Sequence, residues 1–277
     1  MQNLVIITGG TGYIGKNLQK YLKIKKIDFV ITKRTSSGYS YFDSDENQVD
    51  KTIFENKELI VVHLATYFSK DSLENSKIVT SNETFGKNIF KELKNFYLKK
   101  FIYTNTMYSF YPDKEIRNLE YTLSKNRFAE FIYNQTKLHS ILFEEIYLDN
   151  TFGFMDNRPK VMPAVFSAVA SNEKNPIKNK DVFINLIYLQ DVLDRLFISI
   201  CEKNSERSSF ISYEMVNITS IYEYLNTYKN SSKMNTNLLI YNKNNYIEDY
   251  PKIDYKGLKI SKLENMLVEE LKKYESK

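Results

Sequence analysis

Apolar residues recur with two different periods along the first half of the chain. Residues 3–8 form a short apolar run, whereas residues 16–24 bring Leu18, Tyr21 and Leu22 round to one side, so a strand followed by a helix packed on it is expected. Further strands are predicted at about 28–32, 39–42, 59–64, 101–104 and 141–148, with helices at about 82–97 and 123–136. The run 59–64 is apolar nearly throughout, as in a strand buried on both faces. Glu144 and Glu145 interrupt the last of these strands. Strands alternating with helices predict an α/β fold: a doubly wound parallel sheet covered by helices on both faces.

Beyond Asn150 the regularity weakens. Pro159 and Pro163 bracket the entry to a helix at 164–170, a loop covers 171–180, and a strand at 182–189 leads into a helix at 192–201. Short elements then connect to a charged last helix at about 261–274. The chain is therefore expected to hold a first region, 1–149, to which 185–217 returns, and a smaller C-terminal region, 150–277, that faces a substrate.

With 277 residues and 42% apolar composition, the chain can bury a sizeable core. Its formal charge of +5 is spread through pairs such as Lys25-Lys26, Lys99-Lys100 and Lys272-Lys273. Such a surface can steer phosphate-bearing ligands. No nucleic-acid partner is expected, because basic and aromatic residues do not interleave along any stretch. No apolar run approaches a bilayer span, so no membrane partner is expected either. Cys201 is the one cysteine, which excludes an internal disulfide; it is expected in the core on an apolar helix face, and a cytoplasmic setting is expected. His63 is expected to pack at a strand end and His139 at the entry to the next strand, and no metal site is expected.

The segment Thr8-Gly9-Gly10-Thr11-Gly12-Tyr13-Ile14-Gly15 lies between the first strand and the first helix, where a doubly wound fold binds a dinucleotide pyrophosphate. Gly9 would permit the tight turn, Gly12 would let backbone N–H groups approach the phosphates, and Gly15 would allow close packing of helix on strand. The helix N-terminus, with Thr11, Tyr13 and Ile14 in the turn, would then face the negative charge. After the second strand come Lys33, Arg34, Thr35 and Ser36, with no carboxylate. Two cations and two hydroxyls suit a 2'-phosphate, so NADPH (NADP) is expected over NADH. Asp43, at the end of the third strand, is a candidate acceptor for the adenine amino group.

Tyr121 and Lys125 stand four residues apart, one helical turn, and therefore on one face. A nearby ammonium favours a phenolate, so Lys125 is expected to lower the pKa of Tyr121 and fit it for acid–base work. The pair follows the strand that ends in Thr104, Asn105 and Thr106.

The glycine turn, His63-Leu64-Ala65, the cluster Thr104 to Thr106, and Tyr121 with Lys125 together resemble the extended short-chain dehydrogenase/reductase family, its NAD-dependent epimerase/dehydratase group. The resemblance covers most of the chain and continues through Asn150-Thr151-Phe152-Gly153, Asp156-Asn157-Arg158 and residues 187–192. It implies a Rossmann-type fold and a nucleotide-diphosphate sugar as substrate. By position it implies Thr106 as the catalytic hydroxyl and Tyr121 as the general acid. Lys125 would also hold the nicotinamide ribose, Leu64, Ala65 and Thr66 would lie along the cofactor, and Asn150 would meet the substrate diphosphate. Relatives commonly pair, which points to a homodimer through the helices at 82–97 and 123–136. The sequence departs from the family pattern where Ile184 replaces a frequent Arg and Asn185 an acid, and where the sixth strand lacks its usual Arg.

Dehydratases of the group carry an acid pair after the catalytic hydroxyl, and Met107 and Tyr108 stand there instead. Epimerases commonly keep an acid after the second strand, where this chain has Arg34 nearby. The resemblance therefore implies a 4-ketoreductase, as in the synthases of CDP-abequose and CDP-paratose. It would reduce a 4-keto-6-deoxy or 4-keto-3,6-dideoxy hexose for a bacterial surface polysaccharide. The alternatives are an epimerase of the same family and a non-catalytic NADP-binding sensor, although sensors often lose the Tyr or the Lys.

Overall fold

The structure, a computed structural model, describes residues 2–34, 40–44, 47–111, 118–154, 156–178, 182–203, 208–211, 215–231, 237–241 and 261–276. In chain order the elements are β1 (Gln2–Thr8), α1 (Tyr13–Ile24), β2 (Phe29–Arg34), β3 (Ser40–Ser44), β4 (Asn47–Val49), β5 (Lys57–His63), α2 (Asn75–Val79), a π-helical turn (Thr80–Thr84), α3 (Phe85–Leu93), β6 (Leu98–Thr106) and α4 (Leu119–Leu138). They continue with β7 (Leu142–Leu148), β8 (Asn150–Phe152), α5 (Val161–Ala170), β9 (Phe183–Tyr188), α6 (Leu189–Cys201), β10 (Ser208–Ile211), β11 (Met215–Asn217), α7 (Ile218–Asn230), β12 (Ile240–Tyr241) and α8 (Leu263–Glu275). The chain divides into two compact units, Met1–Tyr147 with Leu193–Phe210, and Leu148–Val192 with Ile211–Lys277.

The first unit is built on an eight-stranded sheet of order β10-β7-β6-β5-β1-β2-β3-β4. β1 pairs in parallel with both β2 and β5, and β5 in parallel with β6. Because β2 lies on one side of β1 and β5 on the other, the winding reverses beside β1, and the carboxyl ends of β1 and β5 flank the point where doubly wound sheets bind ligands. Val5 to Ile7 and Leu59 to Val62 are all buried, which is why these strands read as continuous apolar runs. Leu18 and Leu22 of α1, Ile89, Phe90 and Leu93 of α3, and Phe128 and Ile132 of α4 fill the layers against them.

The sheet is not parallel throughout, as the strand pattern alone suggested. β3 runs antiparallel to β2, and β4 antiparallel to β3. Only residues 35–39 separate β2 from β3, too few for the crossover of a dozen or more residues that parallel neighbours need. The helix expected from residue 82 begins at Asn75, and the one expected from residue 123 begins at Leu119, where the Asn118 side chain accepts from the Glu120 N–H at 3.0 Å.

Glu144 and Glu145 are both buried in β7, on opposite faces as strand geometry requires. Glu144 is ion-paired with Arg195 of α6 and with Lys100 of β6, the latter at 3.1 Å. Glu145 accepts from Asn105 at 2.6 Å. Cys201, expected in the core, is instead exposed, because it is the last residue of α6 and lies beyond that helix's buried face.

The second unit holds a four-stranded sheet, β12-β11-β9-β8, in which only β8 and β9 are parallel. Helices α5, α7 and α8 pack on one another, with Met162, Val165, Phe166, Ile221, Leu225, Leu267 and Leu271 buried. Arg158 is ion-paired with Asp156 at 2.6 Å and donates to the Thr151 carbonyl at 2.9 Å, closing the loop after β8. No helix among the described residues is long and apolar enough to cross a membrane.

Candidate active site

The glycine turn is shaped by contacts that leave no room for a side chain. Gly9 has φ +69°, and a Cβ there would lie 2.7 Å from the Ala65 nitrogen, so glycine lets the end of β1 meet the end of β5. A Cβ on Gly15 would fall 2.8 Å from Gly10 Cα and closer still to the Gly9 carbonyl, which is how the first turn of α1 seats on the loop. Gly12 is the N-cap of α1 and brings no side chain, so the first-turn N–H groups of α1 are the donors an anion would take. Gln19 holds the loop from behind, donating to the Gly10 carbonyl at 2.7 Å and to the Gly15 carbonyl at 3.1 Å. Thr8 joins the two strand ends: its hydroxyl accepts from the Ala65 N–H at 3.2 Å and lies 2.9 Å from His63 Nδ1.

At the adenosine end, Lys33 is ion-paired with the buried Asp43 at 2.8 Å across the β2–β3 pairing. The cation expected on a phosphate and the acid expected on the adenine thus neutralise each other. Arg34 closes β2, its side chain lies outside the described residues, and so do Thr35 and Ser36.

The hydroxyl-bearing cluster forms where β5, β6 and α4 meet. The Tyr121 hydroxyl shares hydrogen bonds with the hydroxyls of Thr106 and Thr66, and its ring takes the edge of Phe68 with centroids 5.1 Å apart. Lys125 donates to the Thr104 carbonyl at 2.8 Å, with its ammonium 5.0 Å from the Tyr103 ring centroid and 5.8 Å from that of Tyr121. Burial pushes Lys125 down to about 7, against the opposing pull of the Glu145 charge. Burial likewise pushes Tyr121 up to about 12, despite its two hydroxyl partners.

This differs from the expectation that Lys125 lowers the phenol. The ammonium lies over the ring and gives its hydrogen bond to a backbone carbonyl, so burial governs Tyr121, and the groups acting on its hydroxyl are Thr66, Thr106 and Tyr108. His63 is buried among Phe85, Phe101, Tyr103 and Phe128, and burial, with the Lys125 charge second, drives it down to about 3. It is a neutral packing residue at any ordinary pH. Among the described residues no three His, Cys, Asp or Glu side chains gather as a metal site requires.

Two polar residues that the sequence did not single out, Asn82 and Asn105, hold this cluster in place. Asn82, in the π-helical turn, accepts from the Thr66 hydroxyl at 3.1 Å and from the Tyr67 N–H at 2.7 Å, while its amide donates to the Tyr67 carbonyl at 3.1 Å and to Ser124 at 3.3 Å. It ties the loop after β5 to α4. Asn105 accepts from the Thr106 N–H at 2.8 Å and donates to Glu145 at 2.6 Å. Nothing in the local pattern marked Asn82 or Asn105, because, apart from the Thr106 N–H, their partners lie 15 to 42 residues away. Asn150 belongs to the second unit, where its amide donates to the Asn185 carbonyl at 3.1 Å.

The sequence model of the "NAD dependent epimerase/dehydratase family" matches residues 5–207. Among curated proteins, the chain is similar to the CDP-abequose synthase of Yersinia pseudotuberculosis, 22% identical over 73% of this chain and 75% of the relative. It is also similar to the CDP-abequose synthase of Salmonella typhimurium, 23% identical over 78% of this chain and 75% of the relative. Among solved structures, UDP-N-acetylglucosamine 4-epimerase from Methanobrevibacter ruminantium M1 superposes with a TM-score of 0.74 at 20% identity, covering 100% of this chain and 99% of that one, a likeness of fold.

Proposed function

The chain belongs to the NAD dependent epimerase/dehydratase family, and from that premise we propose that it is an NADPH-dependent reductase of a keto group, at C4, on a nucleotide-diphosphate-linked 4-keto-6-deoxy or 4-keto-3,6-dideoxy hexose. The names of the two curated relatives support a nucleotide sugar as substrate. The observation that carries the reading is the buried cluster at the ends of β5 and β6: the Tyr121 phenol, raised by burial, stands by the Thr66 and Thr106 hydroxyls with the Lys125 ammonium 5.8 Å from its ring, and is a donor for an oxygen that becomes an alcohol. The turn after Thr106 supports reduction over dehydration, since Met107 is buried and Tyr108 brings a phenol where a dehydratase needs acids.

The residues present fit a nicotinamide dinucleotide. The uncapped N-terminus of α1 behind the glycine turn suits the pyrophosphate, and Lys125 suits the ribose hydroxyls. When bound, the cofactor supplies the hydride. Tyr121 gives the proton to the sugar oxygen, Thr106 hydrogen-bonds that oxygen, and Leu64, Ala65 and Thr66 line the cofactor. The first unit would hold the dinucleotide, and Asn150 would meet the substrate diphosphate. The preference for NADPH rests on Arg34 and on the lack of a carboxylate at residues 33–36, since Lys33 is paired with Asp43.

The test is NADPH absorbance followed with a panel of CDP-, dTDP-, GDP- and UDP-linked 4-keto-6-deoxy and 4-keto-3,6-dideoxy hexoses, with NADH alongside. Oxidation with one nucleotide class is expected. An isomerised sugar without net cofactor oxidation would make the protein an epimerase, and NADPH binding without any turnover would make it a sensor.

A further inference from the structure

Glu145 is 3% exposed on β7, and its carboxylate serves the same residues as the reaction. Its Oε1 accepts from Asn105 Nδ2 at 2.6 Å, and Asn105 Oδ1 in turn accepts from the Thr106 N–H at 2.8 Å. Asn105 Nδ2 also donates to Asn126 Oδ1 at 3.1 Å, an oxygen that accepts from the Ser109 hydroxyl at 2.7 Å. Asn126 follows Lys125 on α4, so one carboxylate is linked both to the strand end that presents Thr106 and to the helix that presents Tyr121 and Lys125.

The charge on Glu145 has no use in this network by itself. A glutamine would accept from Asn105 equally well, and a buried carboxylate is costly unless a cation answers it. Among the described residues, the rings of Tyr103 from β6 and Tyr121 from its own helix lie 5.0 and 5.8 Å from the Lys125 ammonium, His63 from β5 is neutral, and the acid whose charge acts on Lys125 is Glu145 from β7. Of the acids on neighbouring turns, Glu83 is taken by Lys87 and Arg127, and Glu120 by Arg127.

We propose that Glu145 is a positioning residue of the active site: its carboxylate fixes Asn105, and with it Thr106, and its charge favours the ammonium form of Lys125 against burial. The proposal rests on the reading of Thr106, Tyr121 and Lys125 as the reacting groups. It adds a fourth position, on a different strand, that sets the pH range in which those groups work.

Glu145→Gln keeps the shape and the Asn105 contact and removes the charge. The Lys125 titration is followed directly by NMR of its side chain in the protein without ligand, with the resonance assigned through Lys125→Met. Its midpoint is expected to fall by about one pH unit in E145Q, the size of effect an adjacent opposite charge exerts. In the keto-sugar assay, kcat at about pH 8 should then drop about tenfold, while kcat at about pH 6 stays within about twofold of wild type. An unchanged Lys125 midpoint overturns the proposal. Glu145→Asp, which withdraws the charge by one methylene, is expected to give a midpoint between the two and to lose kcat at every pH through Asn105; wild-type values of both also overturn it. If the wild-type protein reduces no keto sugar, the functional reading fails, and the NMR midpoints still decide whether Glu145 favours the ammonium form of Lys125.

Discussion

Replacing Lys125 by methionine is expected to make the protein more stable while abolishing any reductase activity. Lys125 is 3% exposed, and burial takes it from 10.5 down to about 7. At about 1.4 kcal/mol per pH unit, keeping this side chain in the fold at pH 7 costs about 4 kcal/mol relative to a lysine left in water. Methionine retains most of the apolar stem and removes the ammonium. Against that gain stands the Thr104 carbonyl, which loses its 2.8 Å donor. A buried acceptor without its partner costs about 1–3 kcal/mol, so a net stabilisation of about 1–3 kcal/mol is expected. The sign of the pH dependence follows from the same shift. Between about pH 7 and 10.5 the unfolded chain carries a proton on Lys125 that the folded chain has released, so wild-type stability rises with pH across that window, by at most about 1.4 kcal/mol per pH unit. The variant lacks this contribution. Urea unfolding of both proteins from about pH 6.5 to about pH 9.5 measures it, and taking their difference removes the titration of all other groups. A less stable K125M at pH 7, or parallel pH dependences, would refute the reasoning.

Three further outcomes are expected. Tyr121→Phe should lower kcat by about 100-fold or more while NADPH binding, read by fluorescence titration, stays unchanged; undiminished turnover would remove Tyr121 from the chemistry. Asn82→Ala should release Thr66 and Tyr67 from α4, costing about 1–3 kcal/mol of stability by denaturant unfolding together with a fall in kcat, and a variant with wild-type kcat would show that the clamp does not serve the site. Glu144→Gln should leave the buried Lys100 and Arg195 with only the half-buried Glu202, 4.0 Å from Arg195, as an acid and destabilise the protein by about 3–5 kcal/mol, whereas a loss below about 1 kcal/mol would mean that the cluster is solvated.

The parallel half of the fold was legible because its determinants are local. Unbroken apolar runs mark strands buried on both faces, and the glycine spacing marks the β1–α1 turn. The antiparallel β3 was also open to reading from the short 35–39 link. Helix α7 was not, since Ile218, Ile221, Tyr224 and Leu225 have helical spacing but sit among Thr, Ser, Asn and Tyr residues of modest helix propensity. At the site, Tyr121 and Lys125 could be found because a helix brings residues four apart together. The effect of one upon the other could not: it depends on burial and on the Thr104 carbonyl, which no spacing encodes. Asn82 and Asn105 escaped for the same reason, as their function consists of hydrogen bonds to distant segments.

The adjacent acids of β7 carry that distinction furthest. In the sequence Glu144 and Glu145 weaken the case for a buried strand, because two consecutive carboxylates suggest a solvated surface. Successive strand residues face opposite sides, so the pair meets two different environments: Arg195 and Lys100 on one side, and Asn105 with the Lys125 charge on the other. Glu144 answers cations that are themselves buried, and its removal is expected to register as stability. Glu145 answers a cation that burial has already brought near neutrality, and the amide variant is expected to register in the titration of that cation. Two residues of the same type, one bond apart in the chain, are thus separable by experiment into a structural acid and an acid of the active site.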